Sequence, residues 1–277
     1  MGNGLICGTT LHCTRLCRKI LTICRTQGVK ILVPTIDTEL PILSAAHDQF
    51  RQAGVHLVIS QTSAVKIARD KQLTAEVLAQ AGVSSPRTAR LADFLSGQAP
   101  LYFPLILKRV DGSSSIGLHT ASHLAELQAL NLEAACYVAQ EKLEGPEYTV
   151  NCFVDARGAL RAAIPHRRIE TRGGEVSKGV TERRADLQNL AEQVVSAVPG
   201  LRGPICFQVI LTSDGPKVFE INARFGGGYP LAHAAGATFG KWIIEEVLGL
   251  PLTVHNIWQD GLLMLRYDAA VFVPKAL

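Results

Sequence analysis

Three polar side chains stand at alternate positions of an otherwise apolar stretch, VFEINARF (residues 218–225): Glu220, Asn222 and Arg224. Successive side chains of a β-strand point to opposite faces, so these three would share one face within about 14 Å while the apolar residues between them pack on a core. Carboxylate and amide oxygens suit Mg²⁺, which completes its shell with water and phosphate oxygens. The stretch therefore predicts a magnesium–phosphate site, although the tripeptide EIN alone would equally describe a solvated strand face.

Neighbouring residues strengthen this prediction. Arg224 can neutralise phosphoryl charge through a bidentate contact. The three glycines at 226–228 let backbone N–H groups approach an anion ahead of the helix predicted next. Gln208, on the preceding predicted strand, would lie directly opposite Glu220 if the hairpin loop between them holds an odd number of residues. An even loop would turn Gln208 to the other face.

The composition of the chain limits its class. The 277 residues are 47% hydrophobic and 19% charged, with a net charge of +4, which supports one large or two ordinary domains and argues against a disordered chain. Basic residues gather only between His166 and Arg184, which fits a small anionic ligand at least as well as nucleic acid. Because the aromatic content of 6% is low for stacking bases, we expect no nucleic-acid partner.

The N-terminal residues match no targeting signal. They lack the features of a secretory signal and of a myristoylation site, and no apolar stretch is long enough to span a bilayer, so we expect a cytoplasmic protein without a membrane partner. The spacing of the early cysteines matches neither a metal site nor a disulfide framework, and we interpret them as small apolar residues. These are Cys7, Cys13, Cys17 and Cys24.

The elements that must position the polar residues fall into two groups. Residues 1–19 have no clear period and stay unassigned. Strands are predicted at 29–33 and 55–59 with a helix through Gln52 between them, and a further helix begins near Asp70, a pattern typical of a parallel α/β unit. After Pro86 the pattern becomes antiparallel, with glycine-rich turns between strands. The predicted strands there are LYFPLILK, YVAQEKL, EYTVNCFVD, ICFQVIL and PKVFEINA, and the predicted helices cover 122–130, 187–198 and 231–248.

In this order the motifs resemble those of the ATP-grasp superfamily, and within it the carbamoyl-phosphate-synthase-related carboxylate–amine ligases. FQVILTSDGPKVFEINARFGGGYPLAHAAGA is the strongest block and IARDKQLTAEVLAQAGVSSPRT the second. The resemblance implies an α/β chain with the α+β ATP-grasp fold. A shortened parallel α/β pre-grasp domain would cover residues 1–82. An ATP-grasp domain would cover 83–277, with two antiparallel-sheet lobes, about 83–143 and 144–277, that sandwich ATP.

The resemblance also implies a nucleotide site. Lys71 and Lys108 would contact the phosphates, and the turn from Gly112 to Gly117 would fold over the triphosphate, with Ser113, Ser114 and Ser115 at its centre. Without the resemblance, Lys71 would be a solvated helix residue and this turn a plain hairpin. Family members usually carry proline after the second lysine, whereas Arg109 stands here, so the backbone of the turn can differ.

The remaining nucleotide contacts would come from the segment between the two lobes. There the backbone of Glu141, Lys142 and Leu143 would hydrogen-bond adenine, and Glu147 would accept from the ribose hydroxyls. A surface glutamate is usually only solvated, so this role of Glu147 rests on the resemblance.

The metal and acyl sites are implied in the same way. Two Mg²⁺ (or Mn²⁺) ions would be bridged by Glu220, with Gln208 and Asn222 each binding one of them. Arg224 would stabilise the transferred phosphoryl group. Arg172 and Lys178 would face the γ-phosphate and the acyl substrate, unless their segment is only a solubilising surface loop.

The implied reaction is ATP-dependent activation of a carboxylate as an acylphosphate, which an amine or similar nucleophile then captures. The partners would be a small-molecule carboxylate and an amine, with a homodimer as an option. Two other interpretations stay open. One is a catalytically impaired ATP-binding module or regulatory subunit with a truncated N-terminal domain, and the other is phosphoryl transfer without ligation.

Overall fold

The computed structural model describes residues 9–110, 112 and 117–273, with side chains from residue 15 onward. The helices are α1 (Thr9–Thr26), α2 (Leu40–Ala45), α3 (His47–Gln52), α4 (Thr62–Arg69), α5 (Lys71–Gln80), α6 (Leu91–Leu95), α7 (Leu124–Ala129), α8 (Ala185–Ala197), α9 (Tyr229–Ala234) and α10 (Phe239–Leu248). The strands are β1 (Ile31–Leu32), β2 (His56–Leu57), β3 (Thr88–Arg90), β4 (Leu105–Arg109), β5 (His119–Ala121), β6 (Tyr137–Glu141), β7 (Glu147–Val154), β8 (Leu160–Arg172), β9 (Glu175–Thr181), β10 (Gly203–Thr212), β11 (Gly215–Asn222) and β12 (Leu263–Leu265). Short 3₁₀ turns cover Asp37–Glu39 and Ala134–Cys136. Within these residues, no helix combines the length and apolarity that crossing a membrane requires.

The strands form three sheets. β1 and β2 pair in parallel, as the alternation of strand, helix and strand predicts. The other two sheets are antiparallel, with the orders β11-β10-β7-β8-β9-β12 and β3-β6-β4-β5. This architecture confirms the predicted α+β fold with a small parallel sheet near the N-terminus.

The N-terminal elements share a core with the six-stranded sheet. Cys17 and Phe50 belong to the same buried cluster as Val150 and Phe207 of that sheet. Helix α1 covers part of the segment that the sequence leaves unassigned, and both Cys17 and Cys24 are buried on it, which agrees with their interpretation as apolar residues. Cys7 and the side chain of Cys13 lie outside the described part of the chain.

The four-stranded sheet has a separate core, built around Leu91, Leu105 and Leu107. Two hydrophobic clusters therefore lie on either side of the space between the two antiparallel sheets. The domain limits at residues 82 and 143 stay predictions, since the N-terminal elements pack directly on the larger sheet.

Two predicted elements differ from the structure. The helix expected at 231–248 is two helices, α9 and α10, because the chain turns at Gly236 with φ of 113°, a conformation that favours glycine. The segment around the basic cluster, which the sequence left without assigned strands, forms the long antiparallel hairpin of β8 and β9.

Candidate functional site

A cavity of about 300 Å³ lies between the two antiparallel sheets. Its walls come from β4 and β6 on one side and from β7, β8, β10 and β11 on the other. The predicted site residues that line it are Lys71, Lys108, Gly112, Glu141, Leu143, Glu147, Gln208, Glu220, Asn222 and Arg224, together with the glycines at 226–228. One partly enclosed cavity therefore contains the predicted metal ligands and most of the predicted nucleotide contacts.

A β-bulge places Gln208 opposite Glu220. The turn between β10 and β11 holds two residues, Ser213 and Asp214, because Thr212 pairs with Gly215. By the parity argument this even loop would turn Gln208 away from Glu220. The ladder shifts by one residue between Gln208 and Val209, so Gln208 pairs with Glu220 after all. The expected pairing is thus present, but the bulge produces it and the loop length does not.

Arg224 is anchored by a residue from the N-terminal segment. Its Nε donates to Asp37 Oδ2 at 2.9 Å, and its Nη1 donates to the carbonyl of Phe225 at 2.7 Å. Both side chains of the pair are largely buried, with 12% of Arg224 and 7% of Asp37 exposed. Burial acts to lower the pKa of Arg224, but the hydrogen bond to Asp37 and the nearby negative charges together outweigh it and raise the pKa, so the guanidinium stays charged. Asp37 therefore fixes the orientation of Arg224 in the cavity.

Lys108 is held in the cavity by a buried amide. Its Nζ donates to Gln140 Oε1 at 2.8 Å, and Gln140 Nε2 in turn donates to Thr88 Oγ1 at 2.8 Å. The ammonium also lies 4.5 Å from the ring centre of Phe219, the bulged residue of β11. Burial lowers the pKa of Lys108 to about 8, against the opposing influence of the nearby Glu220 carboxylate. At neutral pH Lys108 is mostly protonated, and an anionic ligand would hold it so.

Lys71 contacts the first glycine of the turn that is predicted to fold over the triphosphate. Asp70 accepts hydrogen bonds from the amides of Gln72 and Leu73 and so caps α5, which places Lys71 in the first turn of that helix. Lys71 Nζ donates to the carbonyl of Gly112 at 2.6 Å. Gly117 adopts φ of 71° beyond the cavity wall. Ser113, Ser114 and Ser115 lie outside the described residues, so their contacts with a nucleotide stay predictions.

Two backbone amides of the segment between the lobes already form hydrogen bonds within the protein. The amide of Glu141 donates to Arg87 O at 2.9 Å, and the amide of Lys142 donates to Pro104 O at 3.3 Å. The side chain of Lys142 is exposed and does not line the cavity, whereas Glu141 and Leu143 do. The adenine contact of this segment therefore stays a prediction, and the two amide donors of Glu141 and Lys142 are already used.

Glu147 faces a buried arginine across the larger sheet. Its Oε1 lies 3.0 Å from Arg168 Nε, an ion pair whose angle falls outside hydrogen-bond geometry. Burial raises the pKa of Glu147, partly offset by Arg168 and Lys108. The Arg168 guanidinium is itself fixed by donation to Thr149 Oγ1 at 3.2 Å. Glu147 thus sits at the cavity wall as expected, and Arg168 is a cavity cation that the sequence did not single out.

Arg172 and Lys178 lie outside the cavity in this structure. Arg172 forms a two-bond ion pair with Asp268, and Lys178 Nζ donates to Glu170 Oε2 at 2.6 Å. Both cations are exposed, because they occupy positions of the β8–β9 hairpin whose side chains point away from the cavity. Their expected contact with the γ-phosphate would need the hairpin to rearrange.

The glycine loop at 226–228 packs against side chains that leave no room for a Cβ atom. A Cβ on Gly226 would lie 2.8 Å from Cys206 Sγ, and one on Gly228 would lie 2.6 Å from His166 Nε2. The carboxylate of Glu175 occupies the space that a side chain on Gly227 would need. Gly226 and Gly228 are therefore required by close approach, whereas at Gly227 the flexible end of Glu175 can shift. All three glycines keep the backbone of the loop open to the cavity.

His166 beneath this loop is fully buried, and burial lowers its pKa to about 3. Asn151 Nδ2 lies 3.2 Å from His166 Nδ1, and with the amide as donor the imidazole is neutral. The unfolded chain would take up a proton as the pH falls below about 6.5, whereas the folded chain would not until about 3. We therefore expect His166 to lower the free energy of unfolding by about 2 kcal/mol as the pH falls from about 7.5 to about 5.

Urea unfolding at those two pH values tests this expectation. The variant His166→Gln should lose less stability between them than the unmodified protein, whatever its stability at the higher pH. The variant His56→Gln makes the same chemical change at an exposed position and serves as a control. An unaltered pH dependence in His166→Gln would show that His166 is not the neutral, buried group described above.

The donor set fits Mg²⁺ better than a transition metal. Glu220 provides one carboxylate, and Gln208 and Asn222 provide amide oxygens on the same face. No group of three or more His, Cys, Asp or Glu side chains suited to a metal occurs among residues 9–110, 112 and 117–273. A site with a single carboxylate suits an ion that keeps water or phosphate oxygens in its shell. The cations Lys71, Lys108 and Arg224 in the same cavity match the charge of a bound triphosphate.

Several residues at the cavity were not evident from the sequence. Besides Asp37, which contacts Arg224, they are Gln140, Thr149, Arg168, Glu175, Cys206 and Phe219. Alternation along β7 and β10 would have pointed to Thr149 and Cys206, which share a face with Glu147 and Gln208. Nothing near Asp37 in the sequence indicates its contact with a residue 187 positions away.

Comparison with known proteins agrees with this geometry. Residues 68–228 match the ATP-grasp domain family, and residues 10–58 match the PylC-like N-terminal domain. The chain is 29% identical to a D-alanine–D-alanine ligase from Cupriavidus pinatubonensis over 233 residues, which cover 74% of this chain and 70% of that protein. It is 23% identical to a phosphoribosylamine–glycine ligase from Listeria innocua over 222 residues, covering 69% of this chain and 53% of that protein.

Solved structures show the same fold. A biotin carboxylase from Campylobacter jejuni, crystallised as a β-γ-ATP complex, superposes with a TM-score of 0.73 at 15% identity and covers 84% of this chain. An L-amino acid ligase from Bacillus licheniformis superposes with a TM-score of 0.61 at 20% identity and covers 76% of this chain. This chain spans 57% and 54% of the lengths of those two chains.

Proposed function

Since the chain belongs to the ATP-grasp family, we propose that it is a ligase that activates a small-molecule carboxylate as an acylphosphate for capture by an amine. ATP-grasp ligases use ATP with Mg²⁺ or Mn²⁺. The site contains residues suited to the nucleotide and residues suited to the metal ion. The observation that carries the proposal is the single cavity that joins Gln208, Glu220 and Asn222 to the cations Lys108 and Arg224. Fold alone would not support an activity, because one fold hosts many.

The residues of the cavity have different proposed roles according to their charge. Lys71 and Lys108 offset the negative charge of the phosphates, and Lys108 is oriented by Gln140. Glu220, Gln208 and Asn222 would hold the metal, which when bound draws charge off the phosphoryl oxygens. Arg224, oriented by Asp37, would bind the phosphoryl group during its transfer and then the acylphosphate that results. Positioning and electrostatics then supply the rate.

The assignment of individual contacts is part of the proposal. Glu147 is assigned to the ribose hydroxyls, and the segment from Glu141 to Leu143 to the base. The acyl group and the amine would meet next to the glycine loop, beside the Arg224 guanidinium. The homodimer remains a prediction.

The chemistry can be tested without knowing the natural amine. Hydroxylamine captures an acylphosphate directly and gives a hydroxamate that iron(III) turns coloured. We expect the protein with ATP, Mg²⁺ and hydroxylamine to form hydroxamate with some members of a library of amino acids, hydroxy acids and peptides. Each positive carboxylate should release ADP and phosphate in equal amounts.

Two results would contradict the proposal. ATP binding by calorimetry without hydroxamate from any carboxylate would favour the ATP-binding module. Transfer of phosphate to a stable product without hydroxamate would favour phosphoryl transfer without ligation.

A further inference from the structure

We propose that Glu175 binds the ammonium group of the nucleophile, so that this ligase takes a cationic primary amine. The inference rests on the proposed function, since it names the second substrate of the same site. Its role is to bind and orient the amine beside the acyl group.

Glu175 is held at the cavity by the end of the β8–β9 hairpin. It follows the turn Gly173–Gly174 and is the first residue of β9. The buried Arg168 donates through Nη2 to the carbonyl of Gly174 at 2.7 Å. The cavity wall therefore includes a hairpin end that a buried side chain fixes in place.

The carboxylate of Glu175 lies against the glycine loop. Its Oε2 fills the space beside the Cα atom of Gly227, which only glycine leaves free. Arg266 holds the same loop from another direction, with Nη2 donating to the carbonyl of Gly227 at 2.8 Å. Because Arg224 precedes this loop and faces the same cavity, Glu175 and Arg224 are charges of opposite sign at one end of the site.

Glu175 makes no direct ion pair, unlike most of the other acidic groups near the cavity, although its charge helps to raise the pKa of Arg224. Asp37 is paired with Arg224, Glu147 with Arg168, and Glu141 with Lys217 at 3.4 Å. Glu220 faces Gln208 and Asn222 in the predicted metal site. Within the described residues, no ion pair or hydrogen bond joins the Glu175 carboxylate to another side chain.

A carboxylate that makes no direct ion pair in a partly enclosed site can accept hydrogen bonds from a cationic ligand. Primary amines are mainly protonated at neutral pH, so the nucleophile would arrive as an ammonium ion. Glu175 would hold that ion next to the position where Arg224 holds the acylphosphate. The ion would lose a proton to solvent before the free amine attacks the acyl carbon, and phosphate would leave as the C–N bond forms. Anionic and uncharged nucleophiles would gain nothing from Glu175.

The variant Glu175→Gln separates this role from activation of the carboxylate. The carboxylate with the strongest hydroxamate signal is assayed with hydroxylamine, which is largely uncharged at neutral pH, and with the most active amine from a panel of amino acids and diamines. We expect the KM for the amine to rise by about tenfold to a hundredfold in Glu175→Gln. Hydroxamate formation should stay within about threefold of the unmodified protein.

Two further variants serve as controls. Glu170→Gln removes an exposed carboxylate from the same hairpin and should leave the KM for the amine unchanged. Glu175→Asp keeps the charge and should recover part of the amine affinity. Thermal unfolding of every variant checks that the fold is retained.

The outcomes distinguish the two proposals. No hydroxamate from the unmodified protein would overturn the proposed ligase. Hydroxamate from the unmodified protein with equal losses for amine and hydroxylamine in Glu175→Gln would assign Glu175 a structural role. An unchanged KM for the amine in that variant would also overturn the assignment of Glu175.

Discussion

Glu220→Gln is expected to lower ATP-dependent turnover by about 10²- to 10³-fold while the protein remains folded. Glu220 is the one carboxylate in the predicted metal site, and an uncharged amide in its place binds Mg²⁺ poorly. The fold should tolerate the change, because Glu220 is only half-buried and no ion pair joins it to another of the described residues. Hydroxamate formation measured against Mg²⁺ concentration tests the expectation.

The same substitution should change the binding of the metal before that of the nucleotide. Calorimetry with ATP in the presence of Mg²⁺ should show weakened binding, whereas binding of ATP in EDTA should not weaken. The Glu220 charge also supports the protonated form of Lys108, so the pKa of Lys108 should fall further below about 8 in the variant.

The surface residue Glu192 offers a matched control for this substitution. Glu192→Gln makes the same chemical change on an exposed position of α8 and should leave turnover unaltered. Normal turnover in Glu220→Gln, at any Mg²⁺ concentration, would show that the metal assignment is wrong.

Arg224→Lys is expected to reduce turnover by about 10²- to 10³-fold, although it keeps the positive charge. The planar guanidinium of Arg224 donates to Asp37 through Nε and to the carbonyl of Phe225 through Nη1. A lysine ammonium cannot hold both contacts and still leave a further N–H in the guanidinium plane for a phosphoryl oxygen. The expected signature is a lower kcat for hydroxamate formation with little change in the binding of ATP.

Asp37 provides a test of positioning within the same prediction. Asp37→Asn removes the charge that orients Arg224 and should lower kcat by about tenfold. Because it leaves a largely buried guanidinium without its partner, it should also destabilise the fold, by as much as about 3 kcal/mol. In the double variant the two losses in kcat should not add, since Asp37 acts through Arg224.

A structural role for Asp37 would give a different pattern. In that case Asp37→Asn would lower the unfolding temperature but leave the kcat of the folded protein unchanged. Additive losses in the double variant would likewise show that the two residues act independently.

The sequence alone determined the parts of this protein that depend on local period. Alternation along a strand placed Glu220, Asn222 and Arg224 on one face, and the order of strands and turns indicated a parallel α/β unit followed by antiparallel strands, which the family resemblance divided into two sheets. Lys108 at the end of an apolar strand and the glycines at 226–228 were likewise visible without coordinates. Each of these follows from a repeat of two residues or from the conformational freedom of glycine.

Only the tertiary structure decided what depends on contacts between distant segments. The bulge that leaves Phe219 as the extra residue corrects the register of Gln208, and no local signal marks it. Asp37 meets Arg224 across 187 positions, because the N-terminal elements pack on the larger sheet. The pairing of β8 with β9 turns Arg172 and Lys178 outward and brings Arg168 and Glu175 to the cavity. Side-chain period fixes which residues share a face, but the face that meets the ligand is chosen by how the sheets pack on one another.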